Sequence, residues 1–119
     1  MITTQIGVLQ SVQVGTPHHY GVSKATDPME RRWQTSFFRT PSSEPRWLYT
    51  THLAGNEQAD LKHHGRPEQA VLLYAAAHYP LWQAELGQQD IGPGGFGENF
   101  TLAGLSEETT SIGDIYALG

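Results

Sequence analysis

Glycine and proline interrupt this chain too often for a helical bundle. Thirteen glycines and seven prolines are spread over 119 residues. Each glycine opens backbone conformations closed to other residues, and each proline fixes φ and withholds an N–H donor. Short elements joined by many turns are therefore expected. The length fits a single domain, residues 1–119, with one hydrophobic core. A hydrophobic share of 38% sets the chain apart from disordered sequences.

Charge and composition narrow the function classes. The formal net charge is −5, with only seven lysines and arginines. A phosphate backbone needs a basic surface, so no nucleic-acid partner is expected, although a local basic pocket stays open. The longest apolar run, residues 70–77, falls far short of the roughly 18 residues needed to cross a bilayer, and no membrane partner is expected. The N-terminal Met-Ile-Thr-Thr-Gln lacks the basic and apolar regions of a signal peptide, which leaves the cytoplasm as the expected location. Zero cysteines remove disulfide scaffolds, cysteine zinc sites and thiolate nucleophiles together.

Along the chain, Ile6, Val8, Val12 and Val14 alternate with smaller or polar residues, which predicts a strand over 6–14. Residues 18–45 are polar and proline-bearing, with a periodic element only over 33–39. A loop of that length is expected to be functional or mobile. Residues 47–51 are aromatic and β-branched, predicting a short strand before a turn at Gly55-Asn56. Pro67 suits a first helical position, and Val71, Tyr74 and Ala75 follow helical spacing. Pro80 cannot sit inside that helix without cost. The pattern therefore predicts one helix over 67–78 and a second over 80–86. Strands are predicted over 98–102 and from 115 to 118, with a turn at residues 111–114 between them. The sum is a mostly β (α+β) domain with a short helical hairpin.

Four groups of residues could carry chemistry. His63-His64-Gly65-Arg66-Pro67 places a glycine and two polar side chains at a helix start, where an anion could be held, or where the chain simply turns. Gly92-Pro93-Gly94-Gly95-Phe96-Gly97-Glu98-Asn99 carries four glycines in eight residues. It lacks the ending of a Walker loop and the helix of a Rossmann fingerprint, so a crossing turn is the plainer reading. The six histidines include two adjacent pairs but no zinc-type spacing, and no metal site is assigned. Tyr74, His78, Tyr79 and Trp82 read as a packing face, with Trp82 anchoring helix to sheet. Glu57, Asp60 and Glu98 are acid–base candidates that no spacing pairs, and the catalytic residue stays unknown.

Taken together, several of these pieces resemble one family. Trp33-Gln34-Thr35-Ser36-Phe37-Phe38-Arg39-Thr40-Pro41 resembles a W-x-T-x-I-x-K-x-P segment. Leu53-Ala54-Gly55-Asn56-Glu57-Gln58-Ala59-Asp60 resembles L-x-G-D-x-Q-A-D, and Lys62-His63-His64-Gly65-Arg66-Pro67-Glu68-Gln69-Ala70-Val71 resembles K-x-H-G-G-x-D-x-A-V. His78-Tyr79-Pro80-Leu81-Trp82 resembles H-Y-P-x-W. Phe96-Gly97-Glu98-Asn99-Phe100-Thr101, then Gly104-Leu105 and Ile112-Gly113-Asp114, complete the series. These are motifs of the MOSC family, named for the C-terminal domain of molybdenum cofactor sulfurase, and the closer likeness is to its small stand-alone bacterial YiiM-like type.

The resemblance implies a β-barrel-like domain and a pocket for the molybdenum cofactor, a pterin bearing a phosphate and a dithiolene. It implies that Thr35, Ser36, Arg39, His64, Gly65, Glu98 and Asn99 stand at cofactor-binding positions. Arg39 takes the place of a pocket lysine, keeping the charge and removing an amine nucleophile. Asn56 replaces an aspartate, and Arg66 replaces the second glycine of His-Gly-Gly. The family continues into further strands and a Q-P-R-x-P-C segment that supplies a pocket cysteine, whereas this sequence stops at Gly119. The implied activity is reduction of N-hydroxylated compounds or sulfur transfer to the cofactor, impaired here by the lack of that cysteine, with weak cofactor retention. The alternative expectation is a non-enzymatic module that binds a small anion or pairs with a second copy through open strand edges.

Overall fold

The computed structural model describes residues 7–57 and 70–118. Six strands, one 3-10 turn and one α-helix make up the described fold: β1 (Val8–Val14), β2 (His18–Tyr20), the turn Pro28–Glu30, β3 (Trp33–Thr35), β4 (Thr40–Pro41), β5 (Leu73–Ala75), α1 (His78–Leu86) and β6 (Phe100–Ala103). The strands form two open sheets. One has the order β4-β1-β6-β5 and the other pairs β2 with β3. No helix among the described residues is long and apolar enough to cross a membrane.

The mostly β, α+β class holds, but the described strands do not close into a barrel. Closure needs staggered strands long enough to wrap around. At one edge β4 is two residues long and ends on Pro41, which has no N–H to give. At the other edge β5 is three residues long and runs parallel to β6. The predicted β1 strand is present over Val8–Val14, pairs antiparallel with β6, and carries a bulge between Leu9 and Ser11.

The helical hairpin is corrected to a single described helix. Of the helix predicted over 67–78, residues 67–69 lie outside the described residues, and Leu73–Ala75 is a strand. Asn99 explains the change. Its Oδ1 accepts from Leu72 N–H at 3.1 Å, while its own N–H donates to Leu72 O at 2.8 Å. These contacts hold Leu72 extended and lead the next residues into parallel pairing with β6, so tertiary context overrides the helical spacing. The second predicted helix forms and starts slightly earlier, at His78. Pro80 falls in its first turn, where an N–H has no intrahelical acceptor to lose. Gly87 ends it at φ +66°, the left-handed geometry that favours glycine, and its N–H caps Gln83 O.

Three further expectations change. The stretch 18–45 is not structureless: it supplies β2, β3 and β4. Tyr20, Trp33 and Phe38 hold the β2–β3 hairpin together, with ring centroids 5.1–6.3 Å apart. Residues 47–51 are not a continuous strand. Leu48 bridges Leu53, and Tyr49 N–H donates to His52 O at 2.8 Å, so the segment folds back on itself. Residues 115–118 form no strand, because no described strand pairs with them, and Ile115 stays 96% exposed. The turn at 111–114 is present, with Asp114 N–H donating to Ser111 O and Ser111 N–H to Asp114 Oδ2.

The interior is unusually polar. Among the described residues, Leu53, Ala70, Ala75, Tyr79 and Phe100 are the buried apolar residues, while Gln13, Ser36, Asn56, Glu98, Asn99 and Thr101 are buried as well. Asn99 shows how such a core is held. Besides accepting from Leu72, its Nδ2 donates to Gln13 O at 3.1 Å, so one amide joins β1 to the approach of β5. Replacing Asn99 by alanine strands a buried donor and a buried acceptor. The expected cost is roughly 2–4 kcal/mol, read as a lower midpoint in urea unfolding; an unchanged midpoint would contradict this role.

Candidate functional site

The site is built where four segments meet: the end of the β3–β4 connection, the C-terminal end of α1, the glycine-rich loop 91–97 and the start of β6. An open groove of about 680 Å³ lies among them. Its walls include Phe37, Phe38, Arg39, Leu86, Asp90 and the backbone of loop 91–96.

Arg39 supplies the cation. Its Nη1 donates to Gly97 O, and its Nε is buried without a described partner. Burial pushes the guanidinium below its ordinary value, and the nearby Glu98 carboxylate opposes that shift. The group stays cationic at any physiological pH.

Several contacts shape the loop. Gly95 N–H donates to Gly92 O at 2.8 Å and Gly97 N–H to Gly94 O at 3.0 Å, giving two successive tight turns. Gln83 of α1 reaches over to donate to Ile91 O at 2.7 Å. Gly97 sits at φ +73°, and a Cβ there would lie 2.6 Å from the Phe37 ring. Only glycine meets both demands without displacement.

Beneath the loop lies Glu98, with no exposed surface. Three donors converge on its carboxylate. Tyr79 O–H and Thr101 O–H donate to Oε2, the latter at 2.9 Å, and Phe96 N–H donates to Oε1 at 3.2 Å. Gln13 extends the network, donating to Thr101 Oγ1 at 3.3 Å and to Ser11 Oγ at 2.6 Å. A carboxylate is acceptor-only and suits this place.

The structure brings some of the sequence-predicted residues to the groove and gives others different surroundings. Arg39 lines it. Glu98 and Asn99 do not: their side chains face protein partners below the loop and beside β1. Thr35 ends β3 and accepts from Phe37 N–H at 3.0 Å, and Ser36 is buried beside it. His64 and Gly65, with His63, Arg66 and Asp60, lie outside the described residues. Asn56, which stands where the family motif has aspartate, accepts from Gly15 N–H at 2.9 Å. Sequence reasoning missed the polar role of Tyr79, read there as packing alone. The packing is real, since Tyr79 and Trp82 both make tilted ring contacts with Phe96, and Trp82 Nε1–H donates to Tyr74 OH at 2.9 Å. The available signal was a tyrosine at a position whose burial would suit phenylalanine.

With this geometry in view, the comparisons give the class. A model of the MOSC domain matches residues 60–119, and the chain belongs to the MOSC domain family. The uncharacterized protein YflK of Bacillus subtilis (strain 168) is 40% identical over 88 residues, 74% of this chain and 39% of the relative. A protein named Reductase from Gibberella moniliformis is 35% identical over 89 residues, 71% of this chain and 15% of that protein. The crystal structure of YiiM from Geobacillus stearothermophilus matches with a TM-score of 0.64 at 25% identity, covering 94% of this chain and 46% of that one. The chain therefore spans less than half the length of each of these relatives.

The Tyr79 phenol is pushed well above its ordinary range, first by burial and then by its hydrogen bond to Glu98 and that carboxylate's charge. Folding thus favours the neutral phenol. Stability tied to this group is present below about pH 10, the unfolded tyrosine value, and is lost as pH rises beyond it. In an ultraviolet titration, one of the five tyrosines should stay neutral until the chain unfolds, and the Tyr79→Phe variant should lack that late component. Full tyrosine ionisation near pH 10 with the fold intact would contradict the buried bond.

Proposed function

We propose that this chain forms part of a MOSC cofactor pocket, in which Arg39 and loop 91–97 hold an anionic portion of the molybdenum cofactor. One observation carries the reading. In a chain of the MOSC domain family, a half-buried guanidinium whose Nε has no partner among the described residues stands at a groove walled in part by a glycine-rich loop.

The donor set fits the group. A phosphate is recognised by cationic side chains and by backbone that can approach it closely. Arg39 supplies the charge, and Gly92, Gly94 and Gly95 bring backbone to the groove between the side chains of Pro93 and Phe96. Glu98 and Asn99 contribute from behind. They fix the loop and β1 without presenting their own charge or dipole to the ligand. Phe37 and Phe38 line one side with apolar surface.

When bound, the cofactor supplies the redox chemistry, and the activity we propose is reduction of N-hydroxylated compounds or sulfur transfer. The relative named Reductase is in keeping with a redox role and names no substrate. The chain's own part is to bind and orient. Among the described residues, the charged hold on the anion rests on Arg39.

The test is equilibrium binding of molybdenum cofactor, followed by pterin fluorescence. The unmodified chain should bind and lose the cofactor on gel filtration. Arg39→Ala should weaken binding at least about tenfold, the worth of a charge-assisted contact, with Arg39→Lys in between. Equal binding by the unmodified chain and Arg39→Ala would overturn the reading.

A further inference from the structure

We propose that Tyr79 is a positioning residue for Arg39, acting through Glu98 and the carbonyl of Gly97. The inference rests on the reading of Arg39 as the groove's cation, and it concerns what aims that cation.

The connection is short. Tyr79 sits in the first turn of α1 with only 5% of its surface exposed. Its hydroxyl donates to Glu98 Oε2, and Glu98 Oε1 accepts from Phe96 N–H at 3.2 Å. Phe96 and Glu98 flank Gly97, so both sides of that residue are fixed by one carboxylate. The Gly97 carbonyl then accepts from Arg39 Nη1. The helix thus reaches the groove's cation through two side chains and one backbone group.

Among the described residues, Tyr79, Thr101 and Phe96 are the donors that hold Glu98 in place. It is fully buried, so water cannot replace a lost hydrogen bond without a rearrangement. The charge of Glu98 already acts on Arg39. Without the Tyr79 hydroxyl, the carboxylate keeps Thr101 and Phe96 as donors and gains a reason to turn toward the guanidinium. Arg39 would then be drawn into an internal ion pair and away from the groove. Tyr79 therefore does more than pack: it keeps the nearby negative charge occupied elsewhere.

The Tyr79→Phe variant preserves the ring contacts with Phe96 and Tyr74 and deletes only the hydroxyl. Nuclear magnetic resonance of the ¹⁵N-labelled chain reads the arginine side chain directly. In the unmodified chain, the Arg39 guanidinium should show restrained rotation and a distinct Nε–H signal. In Tyr79→Phe that signal should move and its rotation rate change, while Tyr74→Phe, whose hydroxyl pairs with Trp82, should leave Arg39 unchanged. Affinity for inorganic phosphate should fall about threefold to tenfold in Tyr79→Phe, the worth of roughly one hydrogen bond. An Arg39 signal identical in Tyr79→Phe and the unmodified chain would overturn the proposal. A second measurement needs no variant: the Tyr79 hydroxyl proton should exchange slowly enough with water to be observed at neutral pH, and its absence would also overturn the proposal. The reading of Arg39 as the anion's cation fails separately, if phosphate binds the unmodified chain and Arg39→Ala alike.

Discussion

A single buried carboxylate holds the described parts of this chain together. Glu98 accepts from the helix through Tyr79, from the sheet through Thr101 and from the glycine-rich loop through Phe96. Hydrogen bonds to a charged acceptor are stronger than neutral ones, and burial raises the cost of leaving any of them unmade. The apolar interior among the described residues is small, so this polar network does much of the work of fixing one arrangement. Asn99, the next residue, does the same for the backbone by tying β1 to the approach of β5.

That arrangement determines the groove. The loop passes over Glu98 in two tight turns, Gly97 presents its carbonyl to Arg39, and Phe37 packs against the face of Gly97 that has no side chain. A cation is thus held beside glycine-rich backbone fixed by hydrogen bonds, the arrangement proposed to receive an anion. Specificity on this account comes from where the charge is held, since net charge is negative and, among the described residues, one arginine lines the groove.

The family was legible in the sequence because its motifs are short, ordered and rich in glycine, whose backbone requirements leave little choice of residue. Turns were legible for the same reason: Gly55-Asn56 and residues 111–114 turn as their composition suggests. Strand β5 was not legible, because the spacing of Val71, Tyr74 and Ala75 fits a helix locally, while Asn99, far along the chain, holds Leu72 extended. The short strands β2 and β4 escaped notice, and β3 showed only as part of the periodic stretch 33–39, because two or three residues cannot show alternation and their pairing partners decide them. At the site, Arg39 was legible as a charge beside a motif. Glu98 and Asn99 were recognised as important residues, yet a sequence cannot say whether a polar side chain faces a ligand or supports the residue that does. Tyr79 was hidden by its aromatic ring, which accounts for its burial and conceals its hydroxyl's role.

The central claim is that the Glu98 network aims Arg39 and loop 91–97 at one anion-binding groove. Titrating inorganic phosphate into the ¹⁵N-labelled chain tests it most directly, residue by residue. Chemical shifts should change together at the Arg39 Nε–H and the amides of Gly92, Gly94, Gly95 and Phe96, with one saturation curve. Saturable binding that leaves those signals still and perturbs other residues would contradict the account.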